Sequence, residues 1–315
     1  MCYSAQVEAA YQKYVHEFGA VLDIHQFVKL FGYMAQSGSW TKLPKAMRDA
    51  FRKPEDEAGF TLAKLVAEGD RKLVAEVEPE LQKQQARLNA AELKLNGPKP
   101  TKTAAEERRK AGKKIIELEG KLADLERREL KSSDSRIFPD WYAPVMIWEG
   151  GRRFVRPMRY HCRPAGMPKS IDRTKDGKMS GTYNARRDNL ERFWRKQFGY
   201  THGIMVVTKF YEHVDRDGKD TIVEFTPEPE TEMLVACLWS HWTCKGEDDL
   251  YSFAAITDDP PPEIAEVGHD RCVIPIKAEY IDAWLNPDAN NLAACYAILD
   301  DRQRPYYQHR IPKAA

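Results

Sequence analysis

The sequence predicts an α+β fold: a mostly antiparallel, barrel-like sheet with flanking helices, carrying an inserted antiparallel helical hairpin. Three observations lead there. From about Arg136 to Pro312, short β-rich runs separated by turn signals outnumber helical stretches and do not alternate regularly with them. Between Pro54 and Ser133 the chain is highly charged, poor in aromatics, and places its leucines at heptad spacing. Ahead of Lys53 it shows amphipathic helical segments, Val7–Phe18 and His25–Met34. Residues 1–53 and 134–312 are therefore expected to form one discontinuous domain, with 54–133 as an insertion.

The insertion reads as two arms. Leu81, Leu88 and Leu95 recur every seven residues, and Ile115, Leu118, Leu122 and Leu125 continue a 3-4-3 seam. Asn96-Gly97-Pro98-Lys99-Pro100 cannot continue a helix and supplies the turn. Pro79 is expected to mark a break or a first turn. In the β-rich zone, Val145–Trp148 and Arg153–Tyr160 flank Glu149-Gly150-Gly151 as a hairpin. Gly203–Tyr211, Thr221–Phe225, Met233–Trp239, Tyr251–Thr257 and Cys272–Ile276 are further strands, and helices are expected at Asp188–Phe198 and Lys277–Leu285.

Composition excludes several classes. At 42% hydrophobic and 31% charged residues, the chain has the balance of a globular protein. It has no run of 18 apolar residues, so no membrane partner is expected. Its first residues lack a basic, apolar leader, and the expectation is a cytoplasmic protein. The six cysteines form no Cys-x-x-Cys pair, and no metal or other cofactor is expected. All but Cys2 read as buried reduced thiols. Net charge is only +1, but Arg152–Lys196 carries fourteen Lys or Arg against four acids. Such a patch either neutralises phosphates or forms a solvated face.

Cys2 carries the chemistry. Removal of Met1 would leave a free α-amine beside its thiol on one Cα–Cβ unit. An aldehyde can condense with the amine to an imine, and the thiol can close onto that carbon to give a thiazolidine. Both groups titrate near neutrality, at about 8 and about 8.5, so each is partly reactive at pH 7.

Downstream, Tyr183-Asn184-Ala185-Arg186, Lys209-Phe210-Tyr211-Glu212 and Gly268-His269-Asp270-Arg271 follow in order, the last leading into Val273-Ile274-Pro275. With Met1-Cys2 they resemble the signature of the SRAP (SOS-response-associated peptidase) family, over the first residues and about Arg136 to Pro287. Tyr142-Ala143-Pro144 resembles the family's Asn-x-Ala-Pro turn. The resemblance implies a DNA-damage protein that bonds covalently through Cys2 to abasic sites in single-stranded DNA, with lyase and self-processing peptidase activity as further possibilities. It implies that Asn184 hydrogen-bonds the thiazolidine or its sugar, and that Glu212 and His269 move protons. It also implies DNA contacts for Arg186, Arg192, Arg271, Thr257 and Pro144. The chain departs from the family at Tyr3-Ser4, which replace Gly-Arg, at His213, at Tyr160-His161 for Trp-Gly, and at Ala165-Gly166-Met167, where the family places aromatics.

Each residue also has a plainer reading: Asn184 as a helix cap, Glu212 as a solvated strand-end carboxylate, His269 as a turn residue. Two other functions fit the same sequence. One is an N-terminal-nucleophile amidohydrolase using the same amine and thiol. The other is an interaction protein that engages a protein partner through the helical hairpin.

Overall fold

The computed structural model describes residues 3–9, 11–54, 57–216 and 218–312. The chain divides into two compact units. The first holds residues 1–27, 41–50 and 131–315; the second holds 28–40 and 51–130. In chain order the elements are β1 (Ser4–Val7), α1 (Tyr11–Phe18), β2 (Val21–Leu22), α2 (Ile24–Gln36), α3 (Lys45–Asp49), α4 (Glu57–Leu95), α5 (Lys102–Glu126), β3 (Arg136–Ile137), β4 (Tyr142–Glu149) and β5 (Arg152–Tyr160). They continue with β6 (Asn184–Arg186), β7 (His202–Arg216), β8 (Lys219–Glu228), β9 (Met233–Trp242), β10 (Leu250–Asp258), α6 (Pro262–Glu266), β11 (Cys272–Val273), β12 (Pro275–Ile276), α7 (Ile281–Leu285), α8 (Leu292–Asp300) and β13 (Tyr306–Arg310).

The first unit is built on one sheet. Strands β9, β10, β5, β4 and β7 are neighbours in that order, and β7 pairs back onto β9, closing a five-strand ring. Closure removes free strand edges and gives the sheet an inside. Most pairings are antiparallel; β10 runs parallel to β5 and β6, and β2 parallel to β5. Alternation sorts side chains: Ala143, Val145 and Ile147 of β4 and Met233, Val235 and Cys237 of β9 enter the same core cluster. The α+β, largely antiparallel class and the β4–β5 hairpin follow the expectation.

Several expectations are corrected. Residues 4–7 form a strand, with the helix starting only at Tyr11, because β1 pairs with both β3 and β7. Asp188–Phe198 is not an α-helix: it is a 3-10 turn followed by irregular turns, held by bonds such as Leu190 N to Arg187 O and Gln197 N to Trp194 O. Leu190, Trp194 and Phe198 are buried at helical spacing, so the apolar pattern is real although the bonding ladder is not. Asn184 caps no helix; it begins β6. Of the cysteines, Cys162, Cys237, Cys272 and Cys295 are buried thiols, but Cys244 is exposed, in the turn after β9. Cys2 lies outside the described residues.

The second unit contains the helical hairpin. Helix α4 runs 39 residues straight through Pro79, so that proline neither breaks nor starts it. Its seam is Val77, Leu81, Gln84, Leu88, Ala91 and Leu95, which face inward or partly inward at 4-3 spacing. Ala104, Ala111, Ile115, Leu118 and Leu125 of α5 are buried in turn. Thr101 caps α5 by accepting the Ala104 N–H at 3.1 Å. Among the described residues no helix is long and apolar enough to cross a membrane.

A glycine in α4 serves packing. A Cβ on Gly69 would lie 2.4 Å from Cε2 of Trp40. That indole is 3% exposed, is held by its Nε1 bond to Asp70 Oδ1 at 2.8 Å, and meets Phe31 edge-on. Alanine gains about 1 kcal/mol of helix propensity over glycine, but overpacking a fixed ring costs about 1–3 kcal/mol. Gly69→Ala is therefore expected to lower the midpoint of thermal unfolding followed by circular dichroism, where an exposed helical glycine would raise it.

Candidate functional site

Position 212 points inward because of one extra residue in β7. Gln6 pairs with Lys209, yet Val7 pairs with Val207, so the register shifts and Thr208 is the bulged residue. Before the bulge, Met205 and Val207 enter the core; after it, Phe210 and Val214 do. Glu212 falls between these last two, opposite the core residue Val223, and is fully buried. Without the bulge the same glutamate would face outward.

Tyr3 and His269 meet its carboxylate. The backbone N–H of Tyr3 donates to Glu212 Oε2 at 3.1 Å, and His269 Nε2 lies 3.3 Å from the same oxygen. The other ring nitrogen of His269, Nδ1, is 2.9 Å from the carbonyl oxygen of Arg271. A carbonyl only accepts, so Nδ1 carries the hydrogen and a neutral ring presents the Nε2 lone pair to Glu212. Burial raises the Glu212 pKa well above the ordinary carboxyl range, against the opposing Tyr3 hydrogen bond. Burial also lowers that of His269. Both shifts favour the uncharged pair, a carboxylic acid facing an imidazole lone pair, with one proton free to move between them.

Asn184 and Thr257 are the candidate residues carried by β6 and β10. Asn184 is paired with Ala255 and Arg186 with Thr257 in the parallel β6–β10 register, so all four side chains share one face. Ala255 belongs to the core cluster. Asn184 Oδ1 accepts from the Tyr160 hydroxyl at 3.3 Å, while its Nδ2 has no hydrogen-bond partner among the described residues. The Thr257 hydroxyl, 1% exposed, has none either. Unsatisfied buried polar atoms cost about 1–3 kcal/mol each, and a polar ligand would relieve that cost. Tyr160, Tyr183, Phe210, Val214 and Cys272 belong to that same core cluster.

Arg186 pairs with Asp188, and Arg271 is half-buried beside Asp270. Arg192 is exposed in the turn region, and Pro144 is buried within β4 opposite Pro157. The basic stretch is largely neutralised in three dimensions. At least nine of its fourteen cations sit in ion pairs, many with acids remote in sequence such as Asp23, Glu247, Asp258 and Asp282. Burial alone would raise the Asp172 carboxyl, but the Arg163 and Arg159 guanidiniums hold it at about 2. No group of three or more His, Cys, Asp or Glu suited to a metal ion occurs among the described residues.

Sequence reasoning missed the Tyr160 bond to Asn184 and the placement of Tyr3. It also missed a buried chain in which the His161 ring lies 2.8 Å from Asp140 Oδ1 and 3.0 Å from Ser180 Oγ. In the sequence, only the departure already noted at Tyr160-His161 points to that chain.

The model of the SOS response associated peptidase (SRAP) family matches residues 102–313, about two thirds of the chain. The chain belongs to the SRAP family. Membership associates it with the SOS response to DNA damage and with peptidase-like processing at the level of the family. Solved structures that resemble this SRAP chain include a protein from Bordetella bronchiseptica, 18% identical, covering 60% of this chain and 90% of its own, with a TM-score of 0.47. Others are a phage-related protein from the same organism (18%, 60% and 85%, 0.44) and a protein from Bacteroides thetaiotaomicron (14%, 57% and 78%, 0.45). No curated protein matches.

Proposed function

We propose that this SRAP protein captures abasic sites in single-stranded DNA as a thiazolidine on Cys2. The observation that carries the reading is the buried Glu212–His269 pair with the Tyr3 N–H on its carboxylate, since Tyr3 is the covalent neighbour of Cys2. The reading requires that Cys2 bear a free amine, hence that Met1 be removed.

The α-amine adds to the aldehyde carbon of the ring-opened sugar, giving a carbinolamine. Loss of its hydroxyl as water needs a proton, which the Glu212 carboxylic acid is able to give. The resulting imine is attacked at carbon by the Cys2 sulfur. The thiol proton passes to the base form of the pair, and the ring nitrogen recovers a proton. In sum, aldehyde plus cysteine gives thiazolidine plus one water, with no oxidant or reductant. Asn184 Nδ2 and the Thr257 hydroxyl are two buried donors suited to the sugar oxygens. Lyase and self-processing activities would use the same acid/base pair.

Intact mass spectrometry tests the reading. The purified chain is expected at its sequence mass less Met1. After incubation with an oligonucleotide bearing one abasic site it should gain the oligonucleotide mass less one water. A chain that keeps Met1 fully, or shows no mass gain without it, would sink the proposal.

A further inference from the structure

The expected DNA-gripping features of this chain are weak: its family aromatics are replaced by Ala165-Gly166-Met167, and the basic stretch is mostly paired. Another surface has both properties that single-stranded nucleic acid needs, and it begins at Tyr3. The Tyr3 ring meets His213 edge-on at 4.1 Å between centroids and Phe138 at 5.7 Å. Phe138 in turn meets Trp141 at 5.2 Å. All four rings are only partly buried.

Beside them lies Arg136. Its Cζ stands 3.7 Å above the Tyr211 ring and 5.0 Å from that of Phe138. Its Nε and Nη2 both donate to Ser4 Oγ, at 3.0 and 2.8 Å. Among the described residues no carboxylate pairs with it. Glu224, which acts on it from a distance, is engaged by Arg310 and Lys209. Half-burying a guanidinium without a counter-charge is costly, and among the described residues Nη1 has no hydrogen-bond acceptor. An anion would complete the arrangement. Stacking rings beside an unpaired guanidinium is the pairing by which proteins hold single strands: bases on the rings, phosphate on the cation.

We infer that Tyr3, Phe138 and Arg136 form a docking shelf for the nucleotide adjoining the abasic sugar, with a base against Tyr3 and Phe138 and its phosphate on Arg136. This rests on the proposed reading, because the Tyr3 backbone reaches Glu212 while its ring faces the shelf. Ser4 holds the guanidinium in place.

The test compares Arg136→Gln and Phe138→Leu with the parent chain on two aldehydes: an abasic single-stranded oligonucleotide, and free 2-deoxyribose, which has no neighbouring base or phosphate. Phe138→Leu keeps apolar packing and so guards against misfolding. Each variant should slow capture of the oligonucleotide about 5–100-fold at subsaturating concentration and leave capture of deoxyribose unchanged. An equal loss on both aldehydes would make the shelf merely structural and overturn the inference.

Binding of undamaged oligonucleotide, read by fluorescence anisotropy, separates this from failure of the covalent reading. If the parent captures neither aldehyde, the covalent reading fails. Arg136→Gln should nevertheless weaken anisotropy binding and lower the salt slope by about 0.7. An unchanged slope, or equal affinity for the duplex, would overturn the shelf whatever the fate of the covalent chemistry.

Discussion

Cys2→Ala is expected to abolish the denaturation-resistant adduct with abasic DNA, a loss of at least roughly a thousandfold, the scale seen when a nucleophile is removed. Cys2→Ser separates the two nucleophiles. It keeps the amine, so an imine still forms and is trappable with borohydride. A serine hydroxyl is essentially un-ionised at pH 7, whereas a thiol titrating at about 8.5 is a few per cent thiolate. Ring closure therefore fails and the adduct does not survive heating in denaturant. One extra residue ahead of Cys2 turns the amine into an amide and should abolish imine and thiazolidine together.

The other cysteines serve as internal controls. Burial pushes the Cys162 thiol up to about 12 and raises those of Cys237, Cys272 and Cys295. These are poor nucleophiles at neutral pH. Cys244 is exposed, so Cys244→Ala is the informative control and should react like the parent. Equal crosslinking by the parent and Cys2→Ala, read on a denaturing gel, would reject the thiazolidine. The hairpin-based interaction protein would then account better for the chain.

What the sequence made legible follows the range over which its signals act. Strands β4 and β5 were readable because alternation and a Gly-Gly turn are local. The hairpin helices were readable because the Leu81–Leu88–Leu95 repeat spans several turns. Strand β1 was not, because its four residues acquire their conformation only by pairing with Tyr211, Phe210 and Ile137, far along the chain. The basic stretch stayed open between two readings for the same reason: its counter-ions come from Asp23, Asp258 and Asp282. In the candidate site, the short motifs named Glu212 and His269 as candidates, but their contact depends on a β-bulge at Thr208 that leaves no mark in composition. Arg136 escaped notice because an arginine before an apolar residue looks ordinary until Tyr211 and Ser4 are folded against it.

Glu212→Gln is expected to slow adduct formation about 10²–10⁴-fold, the usual worth of a positioned acid or base, while making the folded chain more stable at neutral pH. The two effects share one cause. A carboxyl whose folded-state pKa lies above its unfolded value of about 4.3 binds its proton more tightly when folded. Its contribution is most favourable below pH 4.3, and stability falls as pH rises from there through the raised folded value. His269 works in the opposite direction: its lowered pKa costs stability as pH falls below about 6.5, the unfolded value, and nothing above it.

At pH 7 to 8 the carboxyl penalty is thus present and the histidine penalty absent. Glutamine removes the former, while its amide oxygen still accepts from the Tyr3 N–H. Thermal unfolding of parent and Glu212→Gln between pH 4 and pH 8 should show midpoints that converge at the acid end and separate in favour of glutamine above it. The adduct rate of the parent should fall as pH rises past the Glu212 value, because dehydration of the carbinolamine loses its acid. A glutamine variant that is less stable at pH 8 and crosslinks normally would show Glu212 to be an ionised structural anchor.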